Sequence, residues 1–158
     1  MTFAKGLANA APICATISTE EVADSFKALS ISTFGGNPVS TRAGLATVKY
    51  IEEHDIIDHV EKVGNYLKEK LLELKDKYPL IGDVRGKGLM LGIELIKERK
   101  EPALNEILNL FENTRKRRLL IGKGGLYGNV VRIAPPMTID KSHVDEAIKI
   151  LSEAFENI

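Results

Sequence analysis

One cysteine, no tryptophan and no excess of either charge put several classes of protein out of reach of this 158-residue chain. With Cys14 alone there is no intrachain disulfide, so the chain is not a small cystine-stapled domain, and a reducing cytoplasm is the simplest compartment. Lysine and arginine number 22, as do aspartate and glutamate, so nothing favours electrostatic capture of nucleic acid or an anionic membrane. No apolar run approaches the roughly 20 residues of a membrane span. Met1 is followed by neither a basic region nor a hydrophobic segment, so no secretory leader is expected. What is present is an ordinary apolar share, 44%. That is enough for one core, or for one small domain with a piece of another attached. The partner this balance fits is a small molecule or another chain.

Along the chain, Ile13 to Ile17 reads as a short buried strand, and Ser18 with Glu21 as a capping box opening a helix through about Phe26. A loop, Ser32-Thr33-Phe34-Gly35-Gly36-Asn37-Pro38, follows. Asn37 and Pro38 suit the N-cap and first turn of a helix reaching about His54. The next helix keeps an apolar stripe at Ile56, Val60, Val63, Leu67, Leu71 and Leu74 and ends at Tyr78-Pro79. Strands are predicted at Ile81 to Val84 and Leu89 to Ile96 around the turn Arg85-Gly86-Lys87-Gly88. A helix from about Ala103 to Arg118 precedes strands at Leu119 to Gly122 and Val130 to Ile133. Asp140 then caps a last helix whose inward face carries Val144, Ala147, Ile148, Leu151 and Phe155. The fold class is α+β, with helices covering a small antiparallel sheet. Residues 1–40 cannot bury a core alone and read as the tail of a larger domain, whereas 41–158 form a small domain that includes the linking helix.

Three places bear chemistry. Lys5 sits in Thr2-Phe3-Ala4-Lys5-Gly6-Leu7, where partial desolvation would free a nucleophilic amine for imine formation; a solvent-facing terminal lysine fits the same residues. Ser32 and Thr33 gather hydroxyls before the unshielded amides of a glycine turn at a helix N-terminus, a combination that binds phosphate or merely turns the chain. No serine or threonine follows a Gly-Lys pair as a Walker loop requires. Arg132 stands inside Val130-Val131-Arg132-Ile133-Ala134. Such a guanidinium snorkels to an edge, pairs with an acid, or meets a carboxylate in bidentate fashion. His54, His59 and His143 lack metal-site spacing. The run Arg115-Lys116-Arg117-Arg118 falls at a helix C-terminus, where cations complement the dipole.

In order and content these stretches, with Ile81-Gly82-Asp83-Val84-Arg85-Gly86-Lys87-Gly88-Leu89-Met90, Leu120-Ile121-Gly122-Lys123-Gly124-Gly125-Leu126-Tyr127-Gly128-Asn129 and Ile133-Ala134-Pro135-Pro136, resemble the class III aminotransferases of fold type I, nearest the alanine–glyoxylate aminotransferase 2-like branch. The resemblance implies an α/β fold in the wider sense, of which this chain would hold the small C-terminal domain and a remnant of the large cofactor domain. It implies pyridoxal 5'-phosphate as cofactor and Lys5 as the Schiff-base lysine. Ser32 and Thr33 would meet the cofactor phosphate, Thr33 across a homodimer interface to the neighbour's cofactor. Arg132 would grip the α-carboxylate of the amino acid or keto acid substrate. The implied reaction is transamination of the alanine–glyoxylate or pyruvate type. Decarboxylating transamination, an aminomutase, or a stand-alone structural domain are the alternatives. The family more often shows glycine where this chain has Ala10 or Ala11, and a small residue at Cys14. Full members are longer, and the acid for the pyridine nitrogen, the stacking ring and a glycine-serine phosphate turn all fall before the lysine segment. The chain alone is therefore expected to be inactive.

Overall fold

A computed structural model describes residues 1–158, which divide into two units, Met1–Ile56 and Ile57–Ile158. In the first, β1 (Thr2–Phe3) pairs antiparallel with β2 (Ala15–Thr16), and a 3-10 turn over Lys5–Ala8 lies between them. The expected strand at 13–17 thus shrinks to two residues, and they are exposed, because no second layer covers the ribbon. Helix α1 (Glu20–Ser25) starts one residue later than the capping box placed it. Its N-cap is Thr19, with no side-chain hydrogen bond, so the Ser18–Glu21 box does not form. Helix α2 (Pro38–Glu53) begins as the sequence indicates: Asn37 accepts from the Ser40 amide and Pro38 opens the first turn. Gly44 of α2 lies against the turn, where a side chain would meet Leu7 O, Ala8 Cβ and Ile13 Cδ1, each at 3.8 Å. The linking helix therefore keeps company with the first unit, which runs to Ile56.

The second unit is built on α3 (Ile56–Lys77), whose stripe buries Val63, Leu67, Leu71 and Leu74. A four-stranded antiparallel sheet follows, with strands β3 (Ile81–Lys87), β4 (Met90–Leu95), β5 (Gly122–Gly124) and β6 (Val130–Ile133) in the order β3-β4-β6-β5. Between them run α4 (Leu104–Lys116) and, last, α5 (Lys141–Phe155). One buried cluster joins Leu71 of α3, Ile107 and Leu110 of α4 and Val144 and Leu151 of α5 with Leu91, Ile93, Leu95 and Val131 of the sheet. The helices thus cover one sheet face, as the antiparallel α+β reading required.

Three strand boundaries differ from expectation. Arg85, Gly86 and Lys87 continue β3 instead of turning, because Gly86 at φ 136 lets the strand pass where a side chain would strike Met90 O at 2.1 Å. The turn itself is only Gly88-Leu89. Leu119 to Ile121 is not strand; β5 starts at Gly122, opposite Arg132, where pairing with β6 begins. On α5, Ala154 is fully buried, while Ala147 and Ile148 are only half-buried.

Candidate cofactor and substrate site

The first unit presents Lys5 on a strained turn. Its φ is 56, and Asn9 and Ala10 follow at 46 and 82, in the left-handed region that side-chain-bearing residues avoid. Such strain persists only where surroundings impose it, and it clusters at functional positions. The turn is held at both ends. Ile17 N donates to Met1 O at 2.8 Å, closing the β1–β2 ribbon, and Asn9 N donates to Gly6 O at 3.2 Å. Lys5 is exposed and joins no ion pair within the chain. It borders an open hollow with Gly6, Asn9, Ala10, Pro12 and Ile13, and no carboxylate lines that hollow.

The glycine loop is a pair of turns ahead of α2. Gly35 N donates to Ser32 O at 3.3 Å and Asn37 N to Phe34 O at 3.4 Å. Ser32 folds so closely over Gly35 that a side chain there would meet Ser32 Cβ at 2.9 Å. The Asn37 side chain both donates to Phe34 O at 2.9 Å and accepts from Ser40 N at 3.0 Å, locking the loop to the helix start. Ser40 is buried beneath it. The amides of Thr33, Phe34 and Gly36 keep no acceptor within the chain, nor does the Thr33 hydroxyl. Unengaged donors beside a helix N-terminus form an anion-accepting surface. Contact between Gly44 and the Leu7–Ala8 turn ties this loop's helix to the segment that carries Lys5.

In the second unit Arg132 lies on the sheet face away from the helices. Cross-strand register puts Arg85, Gly92, Arg132 and Gly122 in one row. Partners in such a row share a face, so Arg132 projects between two glycines. Its guanidinium leans over β5, with Nε 3.2 Å and Nη2 3.4 Å from where a side chain on Gly122 would begin. Of the alternatives read from sequence, pairing with an acid is not made within this chain: Arg132 joins no ion pair and no hydrogen bond here. A groove of about 380 Å³ opens beside it, walled by Ile121, Ile133, Pro135, Val144 and Ala147.

The row also holds what sequence reading passed over. Arg85 is bound by two acids: its Nη1 donates to Asp83 Oδ2 at 2.9 Å and to Glu94 Oε2 at 2.5 Å. The hydrogen bond from Arg85, more than its charge, holds the Asp83 carboxyl below its ordinary range. Gly92, set between Leu91 and Ile93, was the one available signal, since an isolated glycine inside a strand marks a close approach. The basic run at the C-terminal end of α4 behaves as a helix end does. Arg115 and Lys116 reach Glu112, and Arg117 donates to Asn113 O at 3.0 Å.

The sequence profile of class-III aminotransferases matches residues 1–155. This chain belongs to the class-III aminotransferase family. The chain is 46% identical over 161 residues to the mitochondrial alanine–glyoxylate aminotransferase 2 homolog 2 of Arabidopsis thaliana, covering 100% of itself and 34% of that protein. It is 41% identical to the leucine/methionine racemase of Thermococcus litoralis, covering 100% of itself and 36% of that protein. Among solved structures, a phospholyase from Arthrobacter in complex with phosphoethanolamine superposes with TM-score 0.94 at 32% identity, over 99% of this chain and 38% of that one. The chain thus spans about a third of the length of the curated relatives it matches.

The cofactor of this family is pyridoxal 5'-phosphate. The residues here fit part of it: an unpaired amine on a strained turn, and a loop with free amides for an anion. The Lys5 hollow supplies nothing acidic to face a pyridine nitrogen.

Proposed function

We propose that the complete protein transfers amino groups between an amino acid and a keto acid, of the alanine–glyoxylate or pyruvate type, as a homodimer. The observation that carries this reading is the strained, unpaired Lys5 in a chain whose family profile runs through it. When bound, pyridoxal phosphate supplies the electron sink that makes a substrate Cα–H acidic. Lys5 would offer the primary amine that attaches it, and once displaced by substrate that amine would be the base that carries the proton between the substrate Cα and the cofactor carbon. Ser32, Thr33 and the loop amides bind phosphate oxygens, with Thr33 serving the partner subunit's cofactor. Arg132 fixes the substrate carboxylate by its planar pair of donors, which orients the Cα–H.

The Thermococcus relative favours a second reading, in which the same Lys5 proton transfer returns hydrogen to the opposite face and racemises the amino acid. Solvent deuterium appearing at Cα with the amino group retained and the stereocentre scrambled would establish racemisation over transfer.

Borohydride reduction of the complete holoenzyme followed by peptide mapping should place the cofactor on Lys5; a label on Lys27 or Lys123 would sink the assignment. Arg132→Lys should raise the KM for α-carboxylate substrates and lower kcat/KM, leaving the bound-cofactor spectrum in place. A charge-assisted pair left unmade costs roughly 2–3 kcal/mol, about 30- to 150-fold. The 158-residue chain alone, lacking an acid in the Lys5 hollow, should show no turnover of alanine with glyoxylate. Turnover abolished by Lys5→Ala would refute that expectation.

A further inference from the structure

Arg132 is free even though a carboxylate stands within its reach. Register pairs Glu94 with Val130 and Gly92 with Arg132, so Glu94 and Arg132 are diagonal neighbours on adjacent strands. Diagonal Cα atoms lie roughly 7–8 Å apart, a span long side chains bridge readily. Both residues sit on the sheet face away from the core, and Gly92 places no side chain between them. An arginine and a glutamate so placed would ordinarily pair. Here both oxygens of Glu94 are already engaged. Oε2 accepts from Arg85 Nη1, and Oε1 accepts from Asn129 Nδ2 at 3.5 Å. Asn129 is buried, and its amide is fixed by donating to Leu95 O at 2.9 Å. Arg85 is itself steadied from the other side by Asp83.

We infer that Arg85 is a positioning residue that withholds Glu94 from Arg132, so that the Arg132 guanidinium stays open to the carboxylate of a substrate. The inference rests on the reading of Arg132 given above. In this arrangement Glu94 is the internal competitor of the substrate, and the Asp83–Arg85–Glu94 cluster keeps it occupied. Loss of Arg85 releases Glu94 to pair with Arg132, its diagonal neighbour on β6. Substrate then has to displace a carboxylate already in place, which weakens binding and leaves the proton-transfer step unaltered.

Two measurements test it. Hydrogen exchange of arginine Nε–H groups, followed by NMR on this chain, reads the pairing directly. Arg132 should exchange several-fold faster than Arg85 in the unaltered chain. It should slow about fivefold or more in Arg85→Gln and recover in Arg85→Gln/Glu94→Gln. An unchanged Arg132 signal in Arg85→Gln overturns the inference. Should Arg85→Gln fail to fold, Glu94→Gln alone decides: Arg132 exchange must not change, and its acceleration would mean Glu94 already held it. In the complete enzyme, Arg85→Gln should raise the KM for the carboxylate substrate tenfold or more with kcat within about twofold, and the double variant should restore it. A purely structural Arg85 would leave the double variant no better than the single. If the NMR response occurs while KM stays fixed in both Arg85→Gln and Arg132→Lys, Arg132 is not the carboxylate residue. The proposed role of Arg132 then fails, and the substrate-related role of Arg85 with it.

Discussion

Ala10 holds a φ of 82 with nothing to excuse it. Lys5 and Asn9 share the left-handed region, but asparagine tolerates it and the role proposed for Lys5 would give reason to hold it there. A β-carbon in that region costs about 1–2 kcal/mol. Replacing it with glycine loosens the unfolded chain by roughly 0.5–1 kcal/mol in the opposite sense. Strain wins by a small margin. Ala10→Gly should therefore slow hydrogen exchange in the Lys5–Ala11 turn by a few-fold, and exchange that quickens would show the turn to be relaxed. The departure from the family's usual glycine was visible in the sequence; the backbone angle that gives it meaning was not. Arg132 followed the same course. Its oddity inside an apolar strand was legible, but its freedom depends on Gly92, Gly122 and Arg85, which only cross-strand register brings beside it.

Helices with local signals matched the structure, the Ser18–Glu21 box excepted, whereas strand ends set by distant neighbours shifted. The stripe on α3, the Asn37-Pro38 start of α2 and the Asp140 cap of α5 each depend on residues within a turn of one another. The end of β3 and the start of β5 are decided by partners many residues away, so Arg85 was misplaced in a turn and Leu119 in a strand. Gly64 shows how packing overrides a local preference. Mid-helix glycine is worse than alanine by about 1 kcal/mol on propensity alone. Yet a β-carbon at 64 would lie 2.3 Å from Gly88 C and 2.4 Å from Gly88 O, backbone atoms of the β3–β4 turn that cannot swing aside. Overpacking of this kind costs about 1–3 kcal/mol. Gly64→Ala should thus lower the midpoint of chemical denaturation; a rise would mean the turn yields freely.

The α5 cap gives a pH signature at the same scale. Asp140 accepts from Ser142 Oγ at 2.6 Å, from His143 N at 3.1 Å and from His143 Nδ1 at 2.8 Å. Chiefly the Ser142 hydrogen bond, then those from His143, hold its carboxyl well below the usual carboxylate range. A carboxyl so depressed binds its proton more readily when the chain is unfolded. Its stabilisation is complete above the ordinary carboxylate pKa and is lost as pH falls through the depressed folded value. Asp140→Ala should therefore lower Tm at pH 7, and the gap to the unaltered chain should narrow steadily below about pH 4. A gap independent of pH would show that the cap works without its charge.

At the scale of the molecule, the two units carry very unequal cores. The second buries Leu71, Ile93, Leu95, Ile107, Leu110 and Leu151 completely or nearly so. The first buries Ala8 and Ile56 among its apolar residues, while Leu29 and Ile31 stand at 105% and 98% exposure and Phe26 and Phe34 are also open. Apolar burial is the main term offsetting chain entropy, at about 25 cal/mol per Å² against roughly 1–2 kcal/mol per ordered residue. The first unit has little of it. Helix α2, 16 residues long, then relies on propensity, one cap and its contact with the Leu7–Ala8 turn, and isolated helices only slightly shorter, below about 12–15 residues, are already marginal. The units should therefore open separately. Amide exchange of this chain should show α3, α4, α5 and strands β3, β4 and β6 protected to the limit of global unfolding. Residues 1–56 should exchange orders of magnitude faster, with α1 fastest because none of its residues is buried. In the complete protein the same amides should gain protection, since Phe26, Leu29, Ile31 and Phe34 would have surfaces to cover them. Equal protection across both units of the 158-residue chain would mean that it folds as one cooperative body despite the exposed residues of its first unit.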